Sequence, residues 1–307
     1  MIDEYLQSTE RFETILDYLR WGISKAKAAP LFYGHGTDNV WDDVRSLILG
    51  CLQLPWDLDD AFLQARLTED EKLLLCRQLV RRIHEHVPVP YLTHQAYFCG
   101  LHFYVDERVL IPRSPIAECI EASFNPWIEG DGVTRILDLC TGSGCIAIAC
   151  CFAFPDALID AIDVSADALA VAGINRTKHQ VESQLTLIQS DCFDALHESV
   201  RYDVIVSNPP YVGQDEMQTL PSEYHHEPTL ALEAASDGLA IVDRILKQAP
   251  AYLSAHGILV VEVGNSQVIL MDKYPDMPFV WLDFERGGQG VFVLTALQLN
   301  EYWSNRA

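Results

Sequence analysis

Residues 205–213 read IVSNPPYVG, an apolar run that ends in an amide, two prolines and a phenol. Proline has no N–H to give to a β-ladder, so a strand here stops near Ser207. The residue before a proline is driven extended, and each proline fixes its own φ. Asn208-Pro209-Pro210-Tyr211 is therefore a stiff segment, rich in acceptors and poor in donors. Two of those acceptors, Asn208 Oδ1 and the Pro209 carbonyl, match the two hydrogens of a planar –NH2 group, and the Tyr211 ring can stack on its plane. An amide or nucleobase amino nitrogen is a weak nucleophile because its lone pair is delocalised. Acceptors fixed along tetrahedral directions favour the developing sp3 nitrogen over the flat ground state. In-line placement against the methyl of a sulfonium would supply the rest. No general base is evident, and none is needed once methylation has made the N–H acidic.

A second constellation lies upstream. ILDLCTGSGCIAIA (136–149) reads as a strand, a glycine turn and a helix start. Gly142 and Gly144 let the backbone approach a ligand where a Cβ would clash. The next strand ends at Asp163, 25 residues after Asp138, where a carboxylate can take both hydroxyls of a ribose. The spacing of Gly142, Gly144 and Ala147 also satisfies a dinucleotide fingerprint. The loop by itself thus leaves S-adenosylmethionine, a nicotinamide or flavin nucleotide, and a purely structural turn all open. Asp191, after a third strand, could accept from an adenine amine or simply cap a turn.

These residues need a frame that brings strand ends together. Short apolar runs at RILDLC, ALIDAIDV, LTLIQSD, YDVIVSN and GILVVEV alternate with helical stretches. That pattern predicts a largely parallel α/β sheet with right-handed crossovers and ligands at its carboxyl edge. FVWLDF and GVFVLTAL are separated only by ERGGQ, too short for a helical crossover, so the last strand should run antiparallel. Such a terminal hairpin fits a seven-stranded methyltransferase sheet better than a dinucleotide fold. Upstream, residues 1–88 show three- and four-residue apolar spacings, with Thr68 and Glu71 as a capping box. They predict a helical domain in which His84 and His86 are surface residues. Residues 89–113 predict a β-hairpin linker, and 114–307 the catalytic domain.

Composition narrows the partners. The net charge is −23, with 15 acids against 10 Lys and Arg in residues 1–90 and 29 against 11 beyond. A nucleic-acid binder needs a basic footprint, whereas this balance suits a basic protein. No run of 18 apolar residues is present and the first residues lack a secretory pattern, so a cytoplasmic protein with no membrane partner is expected. Nine cysteines without a C-x-x-C pair read as reduced thiols, and no metal site is expected.

Asn208-Pro209-Pro210-Tyr211 together with DLCTGSG resembles the protein-(glutamine-N5) methyltransferases over nearly the whole chain. Arg113-Ser114-Pro115-Ile116-Ala117-Glu118, VVEVGNSQ and ERGGQGVFVLT look like the branch acting on the third large-subunit (50S) ribosomal protein. The resemblance implies a Rossmann-like S-adenosylmethionine-dependent fold with a helical N-terminal substrate-recognition domain. It implies transfer of a methyl group to the side-chain amide of a glutamine in that basic ribosomal protein before assembly, releasing S-adenosylhomocysteine. It implies that Asn208, Pro209, Pro210 and Tyr211 grip the target amide. Asp138, Thr141, Gly142, Ser143, Gly144, Asp163, Val164, Asp191, Cys192, Phe193 and Asn208 would surround the cofactor. Glutamine methylation of release factors and methylation of a nucleobase amino group are the alternative reactions. Arg113 and Glu118 carry no assigned role, and residues 223–234 could be a lid or scaffold.

Overall fold

The computed structural model describes residues 2–129, 132–234 and 238–306. These fall into two compact units. The first takes Met1–Ala96, Val105–Glu107 and Pro221–His226, and the second takes the remainder.

The first unit is helical, with α1 (Ile2–Ser8), α2 (Ile15–Lys27), α3 (Val40–Cys51), α4 (Glu69–His84) and α5 (Val89–Thr93). Reciprocal capping boxes open α2 at Thr14/Asp17 and α4 at Thr68/Glu71, satisfying amide donors that the first turn leaves free. Apolar faces of α2, α3 and α4 bury Leu19, Val44, Leu47, Ile48, Leu75 and Leu79. Arg82 is buried within this unit. It donates to Asp43 through Nε at 2.8 Å, to Glu223 through NH1 at 3.0 Å and to the Phe32 carbonyl at 3.0 Å. His84 is exposed and bonds the Tyr5 hydroxyl at 2.9 Å.

The expected linker is more finely divided than its alternation suggests. Residues 89–93 form α5, because Pro90 at its start already has helical φ and owes no hydrogen bond there. The hairpin itself is short: β1 (Ala96–Phe98) and β2 (Leu101–Phe103). Cys99 and Gly100 between them both hold positive φ, the geometry a two-residue hairpin turn requires.

The second unit carries a seven-stranded sheet built from β3 (Arg135–Leu139), β4 (Leu158–Asp163), β5 (Leu185–Gln189), β6 (Tyr202–Ser207), β7 (Leu253–Glu262), β8 (Val280–Trp281) and β9 (Val291–Thr295). Strand order is β5-β4-β3-β6-β7-β9-β8. The first five strands are parallel, and β9 runs antiparallel to both neighbours. Its helices are α6 (Ile116–Glu121), α7 (Cys145–Ala153), α8 (Ala166–His179), α9 (Gln214–Met217), α10 (Thr229–Leu232), α11 (Ala240–Gln248), α12 (Gln267–Lys273) and α13 (Ala296–Ser304).

Period-two alternation divides the strands between two cores. Ile136, Val204, Val206, Ile258, Val260, Val291 and Val293 pack with α6 and α7. Leu137, Leu139, Ile205, Leu259, Val261, Phe292 and Leu294 pack with α11, α12 and α13. Both faces are covered, which is why these strands read as continuous apolar runs. The parity also sends Asp138 of β3 and Glu262 of β7 toward the α6/α7 face.

Candidate functional site

Five parallel strands end at one edge, and the catalytic unit opens there into a cavity of roughly 270 Å³. The glycine turn forms one wall. Gly142 (φ +55) and Gly144 (φ +80) take left-handed backbone, and a Cβ on Gly142 would meet only open space. Thr141 is buried and donates to Asp138 Oδ2 at 2.6 Å, while Ala147 N donates to the same oxygen at 3.1 Å. The first turn of α7 is thereby tied to β3. Burial pushes the Asp138 carboxyl up to about 7, outweighing both bonds. Asp138 Oδ1 and Ser143 Oγ are buried with no hydrogen-bond partner among the described residues. Ser143 lines the cavity, where such a hydroxyl suits a polar ligand group.

Asp163 ends β4. Its Oδ2 accepts from Gly142 N and its Oδ1 from Ser165 N, both at 2.9 Å. Burial raises this carboxyl as well, against the pull of the backbone amides. It lines the cavity with Val164, Asp191 and Cys192. Asp191 is half-exposed and already engaged: Arg244 NH1 stands 2.6 Å from its Oδ1. This donor set fits an adenosine-containing cofactor. A glycine cradle, a carboxylate at the second strand end and another at the third are all on one wall.

Asn208 and Pro210 line the same cavity. The Asn208 side chain takes no partner among the described residues, so its carbonyl oxygen is available to a ligand. Tyr211 is differently placed from a stacking platform. Its hydroxyl donates to Glu262 Oε1 at 2.8 Å, and its ring lies over Gly264, where a Cβ would stand 2.5 Å from Cε2.

Not every expected residue reaches the cavity wall. Thr141, Gly142, Ser143, Asp163, Val164, Asp191, Cys192, Asn208 and Pro210 do; Asp138, Gly144, Phe193, Pro209 and Tyr211 do not. Asp138 and Gly144 act one step behind it, through the turn they shape. Phe193 is a core residue, 2 % exposed and stacked on Tyr252 with centroids 4.8 Å apart. A ring following a strand-end acid reads equally well as ligand contact or core, and here packing claims it.

Other residues on and around the wall carried little or no signal. Arg113 forms a bidentate pair with Glu227 at 2.6 and 2.7 Å, and Glu227 also accepts from Ile111 N at 3.0 Å. Asn175, wholly buried on α8, grips the Ser143 carbonyl at 2.9 Å and both backbone groups of Tyr104 at 2.7 and 2.9 Å. Residues 223–234 serve two ends. Glu223 is buried on Arg82, whereas Pro228, Leu230, Ala231 and Glu233 line the cavity. Val212 N donates to the Leu232 carbonyl at 2.9 Å and Ala234 N donates to the Val212 carbonyl at 3.0 Å, pairing that stretch with the segment after Tyr211. Glu118 is a turn anchor, accepting from the backbone of Glu285 and Arg286 at 3.0 and 2.9 Å.

Comparison with known proteins agrees with this geometry. Residues 127–223 match the methyltransferase small domain family. The chain is 48% identical over 290 residues to a ribosomal protein uL3 glutamine methyltransferase of Francisella tularensis subsp. tularensis, covering 94% of this chain and 92% of that protein. It is 48% identical over 294 residues to the protein of the same description from Neisseria meningitidis serogroup A, covering 95% and 96%. Among solved structures, the catalytic domain of hMettl16 in complex with the MAT2A 3'UTR hairpin 6 superposes with a TM-score of 0.51 at 16% identity, covering 74% of this chain and 81% of that one. At that identity the likeness concerns the fold.

Proposed function

The chain belongs to the ribosomal protein uL3 glutamine methyltransferase family, and we propose that it transfers a methyl group from S-adenosylmethionine to the side-chain amide nitrogen of a glutamine in that ribosomal protein. One observation carries the mechanism: the unpartnered Asn208 amide opens into the same cavity as Gly142 and Asp163. The cofactor, when bound, supplies an electrophilic methyl on a sulfonium. Asp163 would take the ribose hydroxyls, Gly142 and Ser143 the methionine end, and Asp191 the adenine edge.

Asn208 Oδ1, on the cavity wall, then accepts from one amide hydrogen of the substrate glutamine; the Pro209 carbonyl, on the same stiff segment but one step behind the wall, is assigned the other. Both are neutral acceptors on rigid backbone, so they orient the nitrogen lone pair without removing a proton first. The bonds strengthen as the nitrogen pyramidalises and its hydrogens become acidic, which is selective stabilisation of the transition state. Pro228, Leu230 and Ala231 add an apolar lining to this cavity.

Charge and surface chemistry support a basic protein substrate. The chain carries −23 overall. In the first unit Trp41, Trp56 and Phe62 are 54 %, 45 % and 61 % exposed, beside the exposed Asp57, Asp59 and Asp60. Exposed aromatic rings and carboxylates suit an Arg- and Lys-rich segment, as the Arg45 guanidinium over the Trp56 ring illustrates, in line with a substrate-recognition role for the helical domain.

The deciding experiment supplies labelled S-adenosylmethionine and the purified enzyme to ribosomal proteins and release factors from cells that methylate neither. Label on a glutamine of uL3 is expected. Label on release factor would keep the amide chemistry and remove the substrate assignment, and label only on added RNA would remove both. Asn208→Ala should lower kcat by about 100-fold or more, as loss of a transition-state donor or acceptor does elsewhere, while cofactor Kd stays nearly constant. Wild-type turnover in that variant would defeat the acceptor mechanism.

A further inference from the structure

The carboxyl end of β7 carries an acid that this chemistry does not use. Glu262 is 5 % exposed, and each of its oxygens accepts from a hydroxyl. Tyr211 donates to Oε1 at 2.8 Å and Ser114 donates to Oε2 at 2.5 Å. Burial pushes this carboxyl above its ordinary value, despite the two hydroxyls and the field of Arg113. A carboxyl kept in such a place costs stability unless its bonds do something that an apolar residue could not.

What they join is specific. Tyr211 closes the stiff acceptor segment. Ser114 lies on the cavity wall and accepts from Ile116 N at 3.2 Å, at the start of α6. One side chain therefore ties β7 to the acceptor segment on one side and to the wall beside Arg113 on the other. The rest of Tyr211 is held with matching care. Ser266 Oγ donates to its carbonyl at 2.9 Å, and Gly238 lies so near that a Cβ would stand 2.4 Å from the same oxygen. Neither Tyr211 nor Glu262 lines the cavity. Their influence on the reaction must pass through the backbone of residues 208–211.

We propose that Glu262 is a positioning residue of the transfer reaction: by anchoring Tyr211 and Ser114 together it fixes where Asn208 and the Pro209 carbonyl meet the substrate amide. This rests on the amide-transfer reading above. A carboxylate suits the task because it can accept from both hydroxyls at once, with bonds shorter and stronger than a neutral acceptor would make. Glutamine in its place keeps an oxygen for Tyr211 and turns an NH2 toward the Ser114 oxygen, so most of the positioning should survive. Methionine fills the space and anchors nothing.

The test uses the full-length enzyme, labelled S-adenosylmethionine and unmethylated uL3, with Glu262→Met, Glu262→Gln, Tyr211→Phe and the double variant Tyr211→Phe/Glu262→Met. Glu262→Met should lower kcat roughly 10- to 100-fold, the scale on which small misplacement costs rate. Cofactor Kd should stay within about 3-fold, since less than one hydrogen bond's worth of binding is at stake. The double variant should be no slower than Glu262→Met alone, and Glu262→Gln should regain most of the rate. Wild-type kcat in Glu262→Met, losses that multiply in the double variant, or a fall in cofactor affinity matching the fall in kcat would each overturn the proposal. Should Glu262→Met fail to fold, Tyr211→Phe and Ser114→Ala carry the same cycle, and multiplying losses again overturn it. If the wild-type enzyme leaves uL3 unlabelled, the functional reading fails by itself. Amide exchange at Asn208, Tyr211 and Val212 then decides the positioning role without substrate: faster exchange in Glu262→Met supports it, and unchanged protection overturns it.

Discussion

Both units bury acids, and the Arg82 cluster of the helical unit and the strand-end acids of the catalytic unit are held on opposite terms. In the helical unit Asp43 and Glu223 close on Arg82, whose guanidinium spends its donors on them and on the Phe32 carbonyl. Burial still pushes Asp43 upward, but for Glu223 the Phe32 N–H and Arg82 together overcome burial and hold the carboxyl below its ordinary value. In the catalytic unit Asp138 and Glu262 are buried, and Asp163 half-buried, against hydroxyls and backbone amides, and all three are raised. The first arrangement is electrostatically complete. The second gives its carboxyls hydroxyl and amide donors and no ion-paired cation among the described residues, and of the three only Asp163 lines the cavity, where a polar ligand can meet it.

That contrast is broken most forcefully at Arg82. Arg82→Met leaves two carboxyls buried without their cation and should cost about 3–5 kcal/mol in urea unfolding, the usual consequence of removing one partner from a buried pair. A loss below about 1 kcal/mol would mean that the helical unit tolerates unpaired acids as readily as the catalytic one, and the distinction would fall.

Asp163→Asn tests the other side. Asp163 is half-buried and both its oxygens accept from backbone amides, so Asn, which keeps one of the two acceptors, should lower stability by no more than about 1 kcal/mol. Loss of a charged acceptor for the ribose should nonetheless raise S-adenosylmethionine Kd by roughly 10- to 100-fold, at 1.4 kcal/mol per decade. Equal losses of stability and affinity would make Asp163 a structural residue like Asp43.

The residues in these two predictions were not equally legible. Asp163, Gly142 and Asn208 could be read in advance because their chemistry is local. A glycine turn, a strand-end acid and a proline-stiffened exit each constrain their own backbone, and the α/β pattern puts them on one edge. The seven strands could be read for a related reason: with both faces covered, each is an apolar run bounded by punctuation. The outer position of β8, beyond β9, has no such trace, since periodicity does not order strands. Nor do the partners of Arg82, Glu262 and Asn175, which lie far along the chain and are fixed by tertiary packing alone. Glu262 did leave a faint mark, as the one acid inside GILVVEVG. Phe193 shows the converse: the family resemblance places it at the cofactor, and the core takes the ring.

A pH series sharpens the comparison at Asp138. Its carboxyl titrates near pH 4 in the unfolded chain and at about 7 when folded. A raised acid favours the folded state while protonated, so this contribution is full below pH 4 and disappears as pH climbs through 7. Between pH 5 and 6.5 wild-type stability should fall relative to Asp138→Asn by about 1.4 kcal/mol per pH unit. A constant difference across that range would mean that Asp138 is charged throughout and belongs with the completed cluster at Arg82.

The smallest effect is expected where the two arrangements meet in one residue. Asp191 lines the cavity, yet it already has a cation in Arg244, at 2.6 Å. Their side chains are 54 % and 34 % exposed, so solvent screens the pair and it contributes about 1 kcal/mol at most. Arg244→Ala should leave stability almost unchanged. Its effects on cofactor binding oppose each other: the Asp191 carboxylate loses an orienting partner, and its Oδ1 gains freedom to accept from adenine. A net change in Kd of less than about 5-fold is expected, shrinking further as salt rises. A larger loss that persists at high salt would place Arg244 in direct contact with the cofactor, making this cation part of the binding surface and not a brace behind it.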